Sequence, residues 1–175
     1  MAVHDGAVSD ELEPVFLEIG KALFICQAFE GTLVLLLSLI SRKEAGGNDE
    51  AYSAALDLFS QKTLGQLLKR LGEKIELPFE IQALLSTGWD SRNVIVHRFV
   101  HENIVSFGNP KGRLEVEALL VKHKLNVKTA DVLANRLLDR YLVAFGVTVD
   151  DLKGNADRMW KHLNPTAPSD AAERH

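Results

Sequence analysis

The apolar residues of this chain recur mainly at the spacing of amphipathic α-helices. The β-branched run at 94–96 lies within such spacing, and the pair at 104–105 is too short to indicate a strand. The pattern therefore predicts an all-α chain. The expected helices cover about 10–42, 49–60, a stretch around 67–71, a segment from 77 through 97, 114–124, 129–145 and 148–160.

Several of these helices carry recognisable start and stop signals. Asp10 with Glu13 resembles a capping box, and Pro14 suits a first helical turn. The segment Thr63–Gln66 fits a second capping box. Gly146 is expected to end the long helix before it. The predicted inward faces consist of Tyr52, Leu56 and Phe59 in one helix and of Ile81, Leu84, Leu85 and Trp89 in another.

Length and composition predict one soluble domain. The 175 residues, 46% apolar and 25% charged, are expected to form a mobile arm at 1–10, one helical domain at 11–162 and a disordered tail at 163–175. A net charge of −4 argues against indiscriminate coating of nucleic acid. The single Cys26 is interpreted as a buried apolar residue, which agrees with a reducing compartment. No signal peptide is visible, so we expect a cytoplasmic protein.

One stretch, Ala22 to Ile40, is long enough to cross a bilayer. Gln27 and Glu30 lie near its middle, and a central carboxylate costs roughly 2.5–3.5 kcal/mol on insertion scales. We therefore interpret it as a helix buried in a core or a dimer interface, with no membrane contact.

The segment Ser91–Phe99 is the one that suggests chemistry, because it sets Arg92, Asn93 and His97 in an apolar stretch. Burying any of these groups without a partner costs on the order of 1–3 kcal/mol. On an α-helix Asn93 and His97 share a face and Arg92 lies on its shoulder. The carboxylates of Glu30 and Asp90 are candidate partners for the arginine.

The sequence Arg92-Asn93-x-x-x-His97, in an all-helical setting, resembles the signature of HEPN domains. That signature is an arginine, four to six residues and a histidine, often with a polar residue after the arginine. The resemblance implies an up-and-down helical bundle that pairs as a homodimer, with both motifs in one cleft. Many catalytic members are metal-independent RNA endonucleases of toxin–antitoxin and phage-defence systems. An RNA substrate and an antitoxin or regulatory protein are then the expected partners.

The three motif residues fit that reaction as catalytic residues. An imidazole such as that of His97 can exchange protons near neutral pH, and the guanidinium of Arg92 can hold two phosphate oxygens. Asn93 could orient the imidazole or bind the sugar. Glu30, which lies within the most apolar helix, is interpreted as an intramolecular partner of Arg92 or a lysine, and a direct catalytic role is the alternative. Phe99 stands where related toxins often carry a modifiable tyrosine, so that form of control is not expected.

Two alternatives remain open from the sequence. The motif could belong to a non-catalytic dimeric module that binds an anion, a nucleotide or a protein. His97 and His101 are four apart and could bind zinc, but no third ligand is evident, so neither a metal nor a cofactor is expected.

The candidate substrate-binding residues are Trp89, Arg98, Lys69 and Arg70, for which core packing or a solvated helix face is the competing explanation.

Overall fold

The computed structural model describes residues 5–146, with side-chain surroundings from residue 11 onward. Every regular element in this part of the chain is helical, which confirms the all-α prediction. The elements are α1 (Asp5–Glu44), α2 (Asp49–Ser60), α3 (Leu64–Lys74), α4 (Phe79–Asn93), a π-helical turn (Val94–Arg98), α5 (Phe99–Asn103), a 3-10 turn (Ser106–Gly108) and α6 (Pro110–Ala144).

The long helix α1 forms the centre of the helical bundle, and it packs against α2, α3 and the π turn. Its buried side chains recur every three or four residues, so that they form one stripe along the helix. Burial of each large apolar side chain contributes about 1.5–3 kcal/mol. The stripe consists of Val15, Ile19, Ala22, Cys26, Phe29, Leu33, Leu36, Leu37 and Ile40.

Two helix starts follow from local side-chain chemistry. The Asn48 side chain accepts hydrogen bonds from the first turn of α2. At α3, Thr63 and Gln66 form the reciprocal capping box that the sequence predicts. Gly146 has a φ of 60°, which confirms it as the glycine that ends the helix before it.

Two predicted helix boundaries are wrong. Helix α1 begins at Asp5 rather than near Asp10, so Pro14 lies inside the helix. The proline lies beyond the first turn of the helix, so its ring removes an internal backbone donor and weakens the hydrogen bonding of the turns before it. The predicted helices at 114–124 and 129–145 form one continuous α6, because residues 125–128 contain neither Gly nor Pro to interrupt it.

The inward faces are confirmed in part. Tyr52, Phe59 and Leu85 are buried, whereas Leu84 is 41% exposed and was wrongly placed inward. Trp89, also predicted to point inward, is exposed. Cys26 is buried, as predicted.

The chain divides into two compact units, Met1–Leu138 and Asp139–His175. In the described part of the second unit, the rings of Tyr141 and Phe145 pack at 5.1 Å between centroids. All other features discussed below belong to the first unit. The predicted short helix at 148–160 and the predicted tail lie outside the described residues.

The helical segment Glu11–Glu44 is long and apolar enough to cross a membrane, and half of its most apolar stretch is buried inside the molecule. Core helices of soluble proteins can be equally long and apolar. The cytoplasmic location therefore stays a prediction.

Candidate functional site

The motif lies where α4 changes from α-helical to π-helical geometry. In the turn Val94–Arg98 the hydrogen bonds run from residue i to i+5, and the backbone N–H of Phe99 donates to the carbonyl of Val94. Two residues five apart diverge on a regular α-helix, whereas the wider π turn brings them towards one side. The π turn is therefore what allows Arg92 and His97 to meet. The sequence did not indicate it.

Four polar side chains meet at this turn, and we call them the open cluster: Glu30, Arg92, Asn93 and His97. Arg92 Nε donates to Glu30 Oε1 at 2.5 Å, and Arg92 Nη1 donates to Asn93 Oδ1 at 3.2 Å. Arg92 Nη1 also lies 2.9 Å from His97 Nε2. Because a guanidinium carries only donors, this contact requires a lone pair on Nε2 and hence a neutral imidazole protonated at Nδ1.

The open cluster runs from the protein interior to solvent. The side chains of Arg92 and Glu30 are 18% and 30% exposed, while His97 is exposed. Of the five guanidinium N–H groups, the two on Nη2 make no hydrogen bond to any described residue. A ligand at the surface would therefore meet an imidazole and two unused donors of a fixed cation.

Two residues position the motif helix against α6. Asn126 Nδ2 donates to the hydroxyl of Ser91, which is buried directly before Arg92. One turn earlier, Gly88 approaches Ala130 so closely that a Cβ on Gly88 would overlap the alanine methyl. Sequence reasoning missed Asn126, because it placed this polar residue in a supposed break between two helices.

A second polar group on α1 provides a contrast, and we call Thr32, Asp131 and Asn135 the closed cluster. Thr32 Oγ1 lies 3.0 Å from both Ala28 O and Asp131 Oδ1. Asn135 Nδ2 donates to the Asp131 carboxylate at 3.0 Å and to its carbonyl at 2.9 Å. The cluster contains no cation and no imidazole, and its three side chains hydrogen-bond to one another.

The four candidate substrate-binding residues lie in different settings. Trp89 and Lys69 line one cavity between α3 and α4. Arg70 pairs with Glu73 at 2.8 Å, and Arg98 lies 3.8 Å from Glu102 on an exposed surface. The structure thus joins two of the four around a common space, and it ties the other two to neighbours on their own helices.

The thiol of Cys26 lies one helical turn before Glu30. Burial raises the pKa of this thiol to about 11, an effect that the nearby Arg92 opposes and Glu30 reinforces. At neutral pH the sulfur is therefore protonated, which makes it a poor nucleophile.

His123 on α6 is a second histidine near the motif segment. Burial lowers its pKa, and the positive charges of Lys122 and Arg98 act in the same direction while Glu102 opposes them. Its Nδ1 is buried without a hydrogen-bond partner among the described residues. The imidazole is accordingly neutral near pH 7.

Within residues 5–146, no group of three or more His, Cys, Asp or Glu side chains is arranged to hold a metal ion. His97 and His101 thus lack a third ligand there. No protein-family model, curated protein or solved structure matches the chain.

Proposed function

We propose that this chain is a HEPN-like, metal-independent RNA endonuclease that acts as a homodimer in stress response or defence. The observation that carries the proposal is the 2.9 Å contact between Arg92 Nη1 and His97 Nε2 at the solvent boundary. It sets a fixed cation beside a neutral imidazole, which are the two groups needed to cleave RNA by its own 2′-hydroxyl.

The reaction uses one proton acceptor and one anion holder. When RNA binds, its 2′-hydroxyl replaces Arg92 Nη1 as the hydrogen-bond donor to His97 Nε2, and Nε2 takes the hydroxyl proton as the 2′-oxygen forms a bond to phosphorus. The bond from phosphorus to the 5′-oxygen breaks, and that oxygen takes up a proton from solvent water as it leaves. Arg92 holds the phosphate oxygens while negative charge builds on them. The products are a 2′,3′-cyclic phosphate and a 5′-hydroxyl.

Glu30 and Asn93 act as positioning residues in this scheme. The carboxylate of Glu30 fixes the Nε edge of Arg92, and the amide oxygen of Asn93 fixes Nη1. A guanidinium held at two edges loses little rotamer freedom when a phosphate arrives.

The surface beside the motif suits a second copy of the chain. Val96, Val100 and Ile104 are four residues apart and are 37%, 41% and 62% exposed. This apolar row runs along the same segment as His97. Pairing through it would cover the row and bring two motifs into one cleft, as the HEPN resemblance implies.

The proposal is tested by incubating purified protein with single-stranded RNA in EDTA. We expect cleavage that survives chelation and falls by about 10²–10⁴-fold in His97→Ala. His101→Ala is the matched control, since that exposed histidine lies one turn further along and makes no contact with Arg92. Intact RNA with a folded wild-type dimer, or equal loss in both variants, would overturn the proposal.

The alternative is a dimeric binding or regulatory module that holds an anion, a nucleotide or a protein without cleaving it. Its supporting observation is the ion pair itself, because Glu30 already neutralises Arg92. Binding of RNA by wild-type protein without any product would favour this function.

A further inference from the structure

A cavity of about 380 Å³ lies between α3 and α4, next to the open cluster. Its walls are largely apolar, with Leu68, Leu71, Leu77 and Leu85 among the lining residues. Pockets of this size and character bind small, flat organic groups, provided that a few polar atoms fix the orientation.

Trp89 forms one side of the cavity. Its ring lies against α3 at Gly65, where an added Cβ would be 3.0 Å from the ring atom Cζ2. A larger residue at this position would require the indole ring to shift by a few tenths of an ångström. The indole is 36% exposed and held in place, and thus presents a fixed aromatic surface to the cavity.

The polar groups at the cavity can meet the edge of a heteroaromatic ring. Gln82 Nε2 donates a hydrogen bond to the carbonyl oxygen of Leu77 at 2.7 Å, so Gln82 Oε1 can accept one from a ligand. The hydroxyl of Ser86 can donate or accept, and Lys69 adds a positive charge at the rim. An RNA base, with its attached phosphate, offers complementary groups to all three.

The cavity wall formed by α4 leads towards the motif along one face of that helix. Gln82, Ser86, Trp89 and Asn93 are spaced four, three and four residues apart, so they form a single row on the helix. At 1.5 Å per residue, Trp89 and Asn93 are about 6 Å apart along the axis. A base beside Trp89 and a phosphate beside Arg92 therefore lie within reach of one nucleotide.

We propose that this cavity binds an unpaired nucleobase of the RNA whose phosphate lies at Arg92 and His97. The substrate class is then single-stranded RNA, because a paired base cannot leave its stack to enter the cavity without loss of its partner. This inference rests on the proposed function, although base binding can be measured without cleavage.

The chain allows a direct optical test, because it has two tryptophans. Trp160→Phe leaves Trp89 as the only one. Short 2′-O-methyl oligoribonucleotides, one for each base, cannot be cleaved by the 2′-hydroxyl route. We expect their binding to change Trp89 fluorescence, and an abasic nucleotide at the bound position to weaken binding roughly 10-fold.

Gly72→Leu fills the cavity with little risk to the fold. Gly72 lines the cavity, and a Cβ there would meet nothing within 4 Å. Gly20→Leu on the exposed side of α1 is the matched control. In Gly72→Leu we expect binding of the intact oligonucleotide to fall roughly 10-fold, to the level of the abasic one. The control should keep the difference between the two ligands.

The outcomes separate the two proposals. If the cavity inference fails, Gly72→Leu cleaves RNA with unchanged KM and Trp89 fluorescence does not respond to ligand. If only the ribonuclease proposal fails, no RNA is cut, yet the oligonucleotides still change Trp89 fluorescence and lose affinity in Gly72→Leu. Equal binding of intact and abasic oligonucleotides by the wild type would overturn the inference outright.

Discussion

The open and closed clusters begin two residues apart on α1, at Glu30 and Thr32, yet they have opposite characters. In the closed cluster Thr32 of α1 hydrogen-bonds to Asp131 and Asn135 of α6, and Asn135 also donates to Asp131. The open cluster ends at an exposed histidine and leaves the two Nη2 donors of Arg92 unused among the described residues. A polar residue in an apolar helix therefore does not by itself mark a site. The open cluster is distinguished by a fixed positive charge and a histidine that reach solvent together.

Besides His97→Ala, the largest loss of RNA cleavage is expected from a change at the arginine of the open cluster. Arg92→Lys keeps the charge but loses the planar fork that contacts Glu30, Asn93 and His97. We expect RNA cleavage to fall about 10²–10³-fold. Arg136→Lys, at an exposed arginine of α6 outside both clusters, should leave the rate almost unchanged. Steady-state cleavage of one labelled RNA measures both, and equal rates for the two variants would contradict the account.

The next effect concerns Gly88, where α4 with the open cluster touches α6 with the closed cluster. Gly88→Ala would force the methyl groups of residues 88 and 130 apart, and overpacking of this kind costs about 1–3 kcal/mol. Gly20→Ala is the control, because an exposed helical glycine gains up to about 1 kcal/mol as alanine. Urea unfolding measures both. A Gly88→Ala protein as stable as the wild type would show that the two helices can separate freely.

A paired experiment on α1 distinguishes the clusters by function. Thr32→Val should lower the free energy of unfolding by about 1–2 kcal/mol and leave activity per folded molecule unchanged. Glu30→Gln should lower activity about 10-fold, because one edge of Arg92 loses its charged partner. Cleavage rates are normalised to the folded fraction from circular dichroism. Loss of RNA cleavage per folded molecule in Thr32→Val, rather than in Glu30→Gln, would contradict this assignment of roles.

The smallest effect is a pH dependence of stability at His123. Its folded pKa is lowered, so the unfolded chain takes up a proton more readily as the pH falls below the ordinary value of 6.5. The stability that the neutral imidazole contributes is present above that value and is lost as the pH falls towards the folded pKa. His123→Gln should therefore flatten the fall in urea stability between neutral and mildly acidic pH. If the slope of stability against pH is the same in His123→Gln and the wild type, His123 does not contribute to this pH dependence.

The sequence allowed the all-α class and the capping box at Thr63 to be anticipated, and it named Glu30 as one of two candidate partners for Arg92. Each depends on short-range spacing or on a charge that has few partners to choose from. Three features could not be predicted from the sequence. The π turn at Val94–Arg98 has no residue signature, and the continuity of α6 depends on the absence of a breaker rather than on a signal. The cavity beside Trp89 arises from contact between two helices, which periodicity along one helix does not specify.

The most direct test of the central claim is the chemistry of the RNA ends after cleavage by wild-type protein in EDTA. Mass spectrometry should find a 2′,3′-cyclic phosphate and a 5′-hydroxyl, and a single 2′-deoxy substitution at the cleaved nucleotide should stop the reaction. Ends that carry a 5′-phosphate, or cleavage that continues at the deoxy position, would contradict the roles given to Arg92 and His97.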